Sequence, residues 1–418
     1  MSTPPTEVDS LDVPDAHAQS TTNVLAQLRR IWQGDSGLLP ILIGLAALVI
    51  FFDVRSSVFL SAENLTNLFV QSTIFILLGM AEIWLLLLGD IDLSLGYATG
   101  LGGATAVILV SSNYRWPWYL ALSLALVVTT AFSALSGFIV IRFRLPSFIV
   151  TLAMFLGLEG VLLYVINAQG TGGSVSVQEK VLYNLVNGNL TPLATWIFVV
   201  VVVALLALIM IRADSTRRSS GLGGRPFWIT ISKIVTLGVA GLLLILVFSA
   251  NRSSFAHVVG MPFAIPIDLF VLAAGTFILT KTKAGRYIYA IGGNTEAARR
   301  AGVNVNKYRL MAFMLSGFTA GIAGLLYVSR LNGISTGIEG GTYVLYAVAA
   351  AVIGGASLYG GRGKMIHAVL GGLVIGTIDN GMSLLNMNAA TQYIATALVL
   401  LAAVIVDSLA RRGNTNTR

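Results

Sequence analysis

Twelve apolar runs separated mostly by short polar loops leave this chain few ways to fold. They fall at about 38–52, 67–88, 92–111, 118–141, 147–167, 193–211, 231–250, 265–280, 310–328, 343–358, 366–385 and 390–408. A helix needs about 20 residues to cross about 30 Å of hydrocarbon, and most of the runs approach that length. The rest of the chain cannot offset so much apolar surface. Hydrophobic residues make up 56% and charged residues 11% of the chain, and the mean hydropathy is +0.83, which excludes a soluble globule. The expected fold is an all-α polytopic membrane protein of about twelve spans. The first and tenth runs are short and are expected to be extended by flanking residues, tilted or partly re-entrant.

The net charge of +8 does not point to nucleic acid, because the basic residues sit in short loops and tails rather than on one face. Arg29 and Arg30 precede the first run, Arg142 and Arg144 follow the fourth, and Arg212, Arg217, Arg218 and Arg225 follow the sixth. A long basic loop follows the eighth, Arg362 and Lys364 the tenth, and Arg411 and Arg412 the twelfth. All six groups fall on one side, and the other side carries only Arg55, Arg115, Lys180, Arg252 and Arg330. The positive-inside rule then makes both termini cytoplasmic. Residues 1–36 read as a disordered cytoplasmic tail and lead-in without a signal-peptide core, and residues 411–418 as a second tail. There are no cysteines, which excludes disulfides and thiolate metal sites.

The basic loop, residues 281–309, holds seven Lys or Arg (Lys281, Lys283, Arg286, Arg299, Arg300, Lys307, Arg309) against Glu296 alone. A short helix is expected inside it. Asn294 or Thr295 can cap its N-terminus, Glu296 lies in the first turn where the dipole favours an anion, and Arg299 and Arg300 lie in the last. Ala297 and Ala298 fill the middle, and Gly302 supplies a left-handed stop. Two turns are too short to be stable alone, so the helix is expected to lean on a partner surface; an ordinary solvated basic loop is the alternative.

Glycines cluster inside the runs, as in Gly96 with Gly100, Gly317 with Gly321 and Gly324, and Gly371 with Gly372 and Gly376. Small residues at this spacing let membrane helices approach closely, and packing is their main expected use; some can serve as hinges.

Two segments carry a family resemblance. Gly89–Gly96 (GDIDLSLG) resembles the GGIDLSVG signature of permeases in the ribose, xylose and galactose class of bacterial ABC sugar importers. From Gly285 to Asp407, the runs GRYIYAIGGNTEAARRAGVNVNKYR, AAVIGGASLYGGRGK and GTIDNGMSLLN are similar to the same family in order and spacing. In all, the likeness covers about residues 40–410. Asp90, where the common signature has Gly, and an added span pair at 193–250 both favour the xylose-type branch. The resemblance implies a permease domain over residues 37–410 with ten family-like spans plus that pair. It also implies that 281–309 is a coupling loop gripped by a cytoplasmic ATPase through Asn294, Thr295, Glu296, Ala297, Ala298, Arg299, Arg300 and Gly302. Two copies of the chain would line one path, and a periplasmic or surface-tethered sugar-binding protein would deliver the cargo.

Charged and amide groups near the runs are candidates for that path. A charge at mid-bilayer costs about 2.5–3.5 kcal/mol on insertion scales, so each such group must face water, an interface or a partner. Asp90, Asp92 and Ser94 lie between the second and third runs; Asp92 and Ser94 can equally cap the third helix. Glu82, Glu159 and Asp379 lie within runs, and Asn380 and Asn386 lie near Asp379; these groups can line the path or bond across helices to hold the bundle. His257 and His367 have no second ligand at metal spacing, so no metal site is expected. Trp116 and Trp118 read as an interfacial anchor.

The run Gly355–Lys364 lacks P-loop spacing and is not followed by Ser or Thr, so the chain is expected to be no enzyme and to bind no cofactor. ATP and Mg would belong to the partner ATPase. The expected function is import of a monosaccharide, D-xylose first, across the bacterial cytoplasmic membrane. A permease of the same class for another aldose, a nucleoside, an autoinducer or an amino acid, and an ion-coupled secondary transporter, are the alternatives.

Overall fold

The computed structural model describes residues 38–220, 227–253, 257–398 and 401. The two expected tails and the end of the twelfth run lie outside them. The first five helices are Leu38–Arg55 (α1), Ala62–Leu86 (α2), Leu95–Val110 (α3), Trp118–Phe143 (α4) and Ser147–Asn167 (α5). A short strand, Ser174–Ser176 (β1), and an amphipathic helix, Lys180–Asn187 (α6), lead to Pro192–Ser219 (α7) and Phe227–Ser249 (α8). Ala264–Lys281 (α9), Lys283–Gly293 (α10), Thr295–Arg300 (α11) and Val305–Leu331 (α12) follow. Gly333–Ser335 (β2), Gly340–Ile353 (α13) and Met365–Leu384 (α14) complete the named elements, and residues 389–398 begin one more helix.

Among the described residues, eight helices are long and apolar enough to cross a membrane, which establishes the polytopic all-α class. Two apolar helices are shorter: α3 has 16 residues and α13 has 14, about 24 and 21 Å of rise. The tenth run was expected to be short. The third was expected to be helical from 92, but its helix begins at Leu95 because the preceding residues run non-helically through the protein interior.

Burial separates a core from a periphery. In α2, 83% of the apolar window is buried, against 11% in α7 and 17% in α8. Around α2 and α12 pack α3, α4, α13 and α14. The glycine clusters make these contacts close. A methyl group on Gly317 or Gly321 would meet Ser133 or Thr129 of α4, and one on Gly324 would overlap the Thr99 carbonyl of α3. Gly371 lies on the Ala350 carbonyl of α13, and Gly372 and Gly376 lie on Ile76 and Ser72 of α2. Without a hydrophobic force between helices in lipid, such approach gives dispersion contacts their reach.

The α7–α8 pair leaves and rejoins the core at one point. Asn189 and Pro262 form an antiparallel bridge, and Leu190 N–H donates to the Met261 carbonyl at 2.8 Å. Arg252 fastens the joint from above, donating to Asn189 Oδ1 at 2.9 Å and the Gly260 carbonyl at 2.8 Å. Strands β1 and β2 pair antiparallel in the register Ser174 to Ser335, Val175 to Ile334 and Ser176 to Gly333, tying the connection after α5 to the one after α12.

Candidate functional site

At the end of the bundle bearing the basic loop, α10 and α11 stand against the turn after α2 and the glycine-rich loop after α13. Thr282 caps α10 by accepting from Gly285 N–H at 3.2 Å. Asn294 caps α11, accepting from Ala297 N–H at 2.9 Å, whereas Thr295 donates back to the Ile291 carbonyl at 2.9 Å. Asn294, rather than Thr295, is therefore the cap. Glu296 and Arg299 pair at 2.8 Å with both side chains well exposed, a contact worth well under about 1 kcal/mol. Gly302 ends the helix at φ +81°, in the left-handed region the sequence led us to expect.

Ala298 is the single buried residue of α11, set against Ile291 and Val305 with Leu88, Val303 and Tyr308 around them. Thr295, Glu296, Ala297, Arg299 and Arg300 all face outward. Six residues held by one methyl and one cap present an exposed knob rather than a self-sufficient helix.

Beneath it, Gly361 N–H donates to the Leu87 carbonyl at 2.9 Å, and a Cβ on Gly292 would overlap that same carbonyl. Tyr289 Oη donates to the Gly363 carbonyl at 2.6 Å; burial raises the phenol above its ordinary value, so it stays a donor. Asp90, whose side chain is buried, takes both ends of the Arg309 fork at 2.6 Å each, joining the α2–α3 connection to the second turn of α12. Three of the four runs that carry the resemblance, around 89–96, 285–309 and 350–364, thus meet in one place.

Beyond Asp90 the chain climbs into the bundle before α3 starts. Thr99 Oγ1 reaches the Ala320 carbonyl at 3.2 Å, while Asp90 sits at Arg309. Eleven residues of α12 rise about 16 Å and the first turn of α3 takes back about 6 Å, so α3 begins on the order of 10 Å inside its span. Asp92 and Glu82 lie in this interval, both fully buried. Asp92 N–H donates to Glu82 Oε1 at 3.3 Å, and Asp92 Oδ1 accepts from Ser94 N–H at 2.8 Å and from the Ser94 hydroxyl. Asp92 therefore takes a free amide at the start of α3; Ser94 makes no side-chain cap of its own. Glu82 Oε2 and Asp92 Oδ2 have no partner among the described residues.

The other predicted residues spread toward the opposite end. Glu159 lies beside Tyr97, whose ring meets Phe155 edge-on at 4.8 Å. Asn380 and Asn64 exchange amide hydrogen bonds at 2.9 and 3.0 Å, pinning α14 to α2. Asn386 is exposed in a left-handed turn after α14, at φ +53°. Asp379 lies in the electrostatic neighbourhood of Arg330 and Tyr343. The candidate path residues thus do not form one cluster. Trp116 and Trp118 are exposed at the turn between α3 and α4.

The tyrosines of α12 and α13, Glu339 and Arg330 were not singled out from sequence. The signal was present: Tyr327 with Arg330, and Tyr343 with Tyr346, each three residues apart in mostly apolar stretches of their helices.

The family described as the permease component of branched-chain amino acid transport systems matches residues 64–217 and 236–404. The chain belongs to this permease family. The xylose transport system permease protein of Escherichia coli K12 is 34% identical over 369 residues, covering 88% of this chain and 90% of that one. Its counterpart in Haemophilus influenzae is also 34% identical, over 88% of this chain and 95% of that one. The ribose import permease protein of Haemophilus influenzae is 30% identical over 87% and 91%. No solved structure matches the chain. With its many apolar spans, this permease is a multi-pass protein of the bacterial cytoplasmic membrane. The break in the family match, between 217 and 236, takes in the last residues of α7 and the first of α8.

Proposed function

We propose that this chain is the membrane-spanning subunit of an ATP-driven monosaccharide importer, with D-xylose as its first candidate cargo. The observation that carries the reading is the α11 knob: a capped, outward-facing helix of six residues on a base of close glycine contacts. A helix so exposed gains stability by docking, and the basic loop around it belongs on the cytoplasmic side, where ATP is. The names of the relatives support the cargo, since they are xylose and ribose permeases.

In this reading both termini are cytoplasmic and two copies of the chain face each other across one path. A separate ATPase holding ATP and Mg grips α11, and a binding protein delivers the sugar at the opposite face. The Asp90–Arg309 clamp carries the push from α11 into α12 and toward the start of α3. Coupling needs such a stiff link, because a loose loop would absorb the stroke.

The test is reconstitution of the chain with its ATPase and binding protein in proteoliposomes, with ATP hydrolysis and radiolabelled xylose, ribose and leucine entry measured together. Coupled hydrolysis and xylose entry requiring all three parts is the expected result. Entry of ribose alone moves the reading to another aldose, entry of leucine alone overturns the sugar assignment, and uptake by this chain alone under a pH gradient overturns the ATP-driven one.

A further inference from the structure

At the end of the bundle opposite α11, polar and aromatic groups collect around the first turns of α13. Tyr327 of α12 and Tyr343 of α13 meet edge-on with ring centres 5.3 Å apart. Phe75 of α2 underlies both α13 tyrosines, stacked on Tyr343 at 6.2 Å and edge-on to Tyr346 at 5.2 Å. Arg330, Asp379 and Glu339 act electrostatically on these rings.

Their bonding is closed only in part: Tyr327 lies within hydrogen-bonding reach of Tyr343, and Tyr346 of Thr396. The ion pairs among the described residues are Arg218–Asp214, Arg299–Glu296 and Arg309–Asp90, so Arg330 and Asp379 stand near each other without closing a salt bridge. Arg330, Tyr343, Tyr346 and Asp379 are all only partly covered, and Glu339 is exposed, so something can reach them. Among the described residues, the Glu339 carboxylate accepts one hydrogen bond, from Tyr393 Oη at 2.8 Å. Gln71, one turn from Phe75 on α2, leaves its carbonyl oxygen buried without a partner among the described residues. Charged and amide groups in a membrane bundle are costly when idle. Here a donor fork and two carboxylates flank the aromatic faces with no salt bridge between them among the described residues.

We infer that Tyr327, Arg330, Glu339, Tyr343, Tyr346 and Asp379 form the receiving site for the cargo on the face opposite the coupling helix. A monosaccharide offers hydroxyls that both donate and accept, together with C–H faces that lie on aromatic rings, and this set answers both features. The contacts are spread over three helices and left partly wet, so the cargo is handed on rather than trapped. The inference rests on the monosaccharide reading above and assigns the residues by which that reading operates.

The test uses the full three-part transporter in proteoliposomes. Tyr343→Phe removes one hydroxyl and keeps the ring packing, and Asp379→Asn keeps shape while removing charge. Each is expected to lower xylose entry at least tenfold while leaving binding-protein-stimulated ATP hydrolysis within twofold of the parent chain. If both variants import within twofold of the parent, this site is not where cargo is received. If the parent chain hydrolyses ATP but imports no monosaccharide, the sugar reading fails and takes this inference with it. If Tyr343→Phe loses hydrolysis as well as entry, the tyrosine supports the fold rather than the cargo, and the inference is overturned.

Discussion

Arg309 Nε and Nη2 donate to the two carboxylate oxygens of Asp90, each at 2.6 Å, closing a bidentate clamp between residues 219 positions apart in sequence. The Asp90 side chain is 7% exposed and that of Arg309 29%, so the pair is shielded on the acid's side and wet on the base's. A shielded, two-bond contact holds direction as well as distance. It is the one ion pair among the described residues that crosses between distant segments.

Asp90→Asn keeps the shape and loses the charge, and is expected to cost about 2 kcal/mol, in the range of a hydrogen bond to a charged group. Thermal unfolding in detergent reads the loss. In proteoliposomes the same variant is expected to hydrolyse ATP with sugar entry reduced at least fivefold. Equal loss of both activities would assign the clamp to stability alone.

The exposed face of α11 is tested by Glu296→Lys. The Glu296–Arg299 pair is solvated, so the reversal costs the fold less than about 1 kcal/mol. Hydrolysis uncoupled from uptake, with membrane insertion intact, is expected. Normal sugar-stimulated hydrolysis in this variant would remove α11 from the coupling route.

At Gly302 the backbone is left-handed, and a Cβ there meets open space. Gly302→Ala is therefore expected to cost about 1–2 kcal/mol from backbone strain alone, without a steric clash. Gly302→Pro, barred from positive φ, is expected to unwind the end of α11 and abolish coupling. Unchanged coupling in the proline variant would show that the helix stop carries no function.

Asn380→Leu leaves the Asn64 amide without its partner between α2 and α14. The expected loss is about 0.6–1.7 kcal/mol, the range of interhelical hydrogen bonds in membranes, with uptake largely preserved in chains that insert. A tenfold fall in uptake at unchanged stability would restore Asn380 to the cargo path.

Joining residue 190 to residue 261 deletes α7 and α8 at the point where the chain already meets itself. The pair contributes little to the core, and the shortened chain is expected to insert and to be purified folded. Aggregation of this variant, read by size-exclusion chromatography, would show that α8 holds α2 in place through the Phe69–Phe248 contact.

Hydropathy revealed the spans because a helix in lipid must be apolar along its length, and local chemistry revealed α11 because Asn294, Glu296 and Gly302 each act on their immediate backbone. The start of α3 was not legible. Residues 90–94 alternate acids with Ile91 and Leu93, and an interior strand of chain then resembles the edge of a span; its amides are met by Glu82, Ser147 and Thr151 from elsewhere in the fold. The Asp90–Arg309 clamp and the tyrosine cluster are likewise tertiary. Nothing within a few residues of Asp90 announces a partner 219 positions away, and tyrosine in a membrane helix reads as interfacial until its neighbours are known.

The back-to-back contact of α3 and α13 has a kinematic consequence. A methyl group on Gly96 would overlap the Gly340 carbonyl, and one on Gly340 would strike the Tyr97 ring. Surfaces that leave no room for one carbon cannot slide past each other. In the importer reading, the two short helices are expected to move together, with the change of face taken up at the non-helical stretches flanking them: residues 90–94 before α3 and 336–339 before α13.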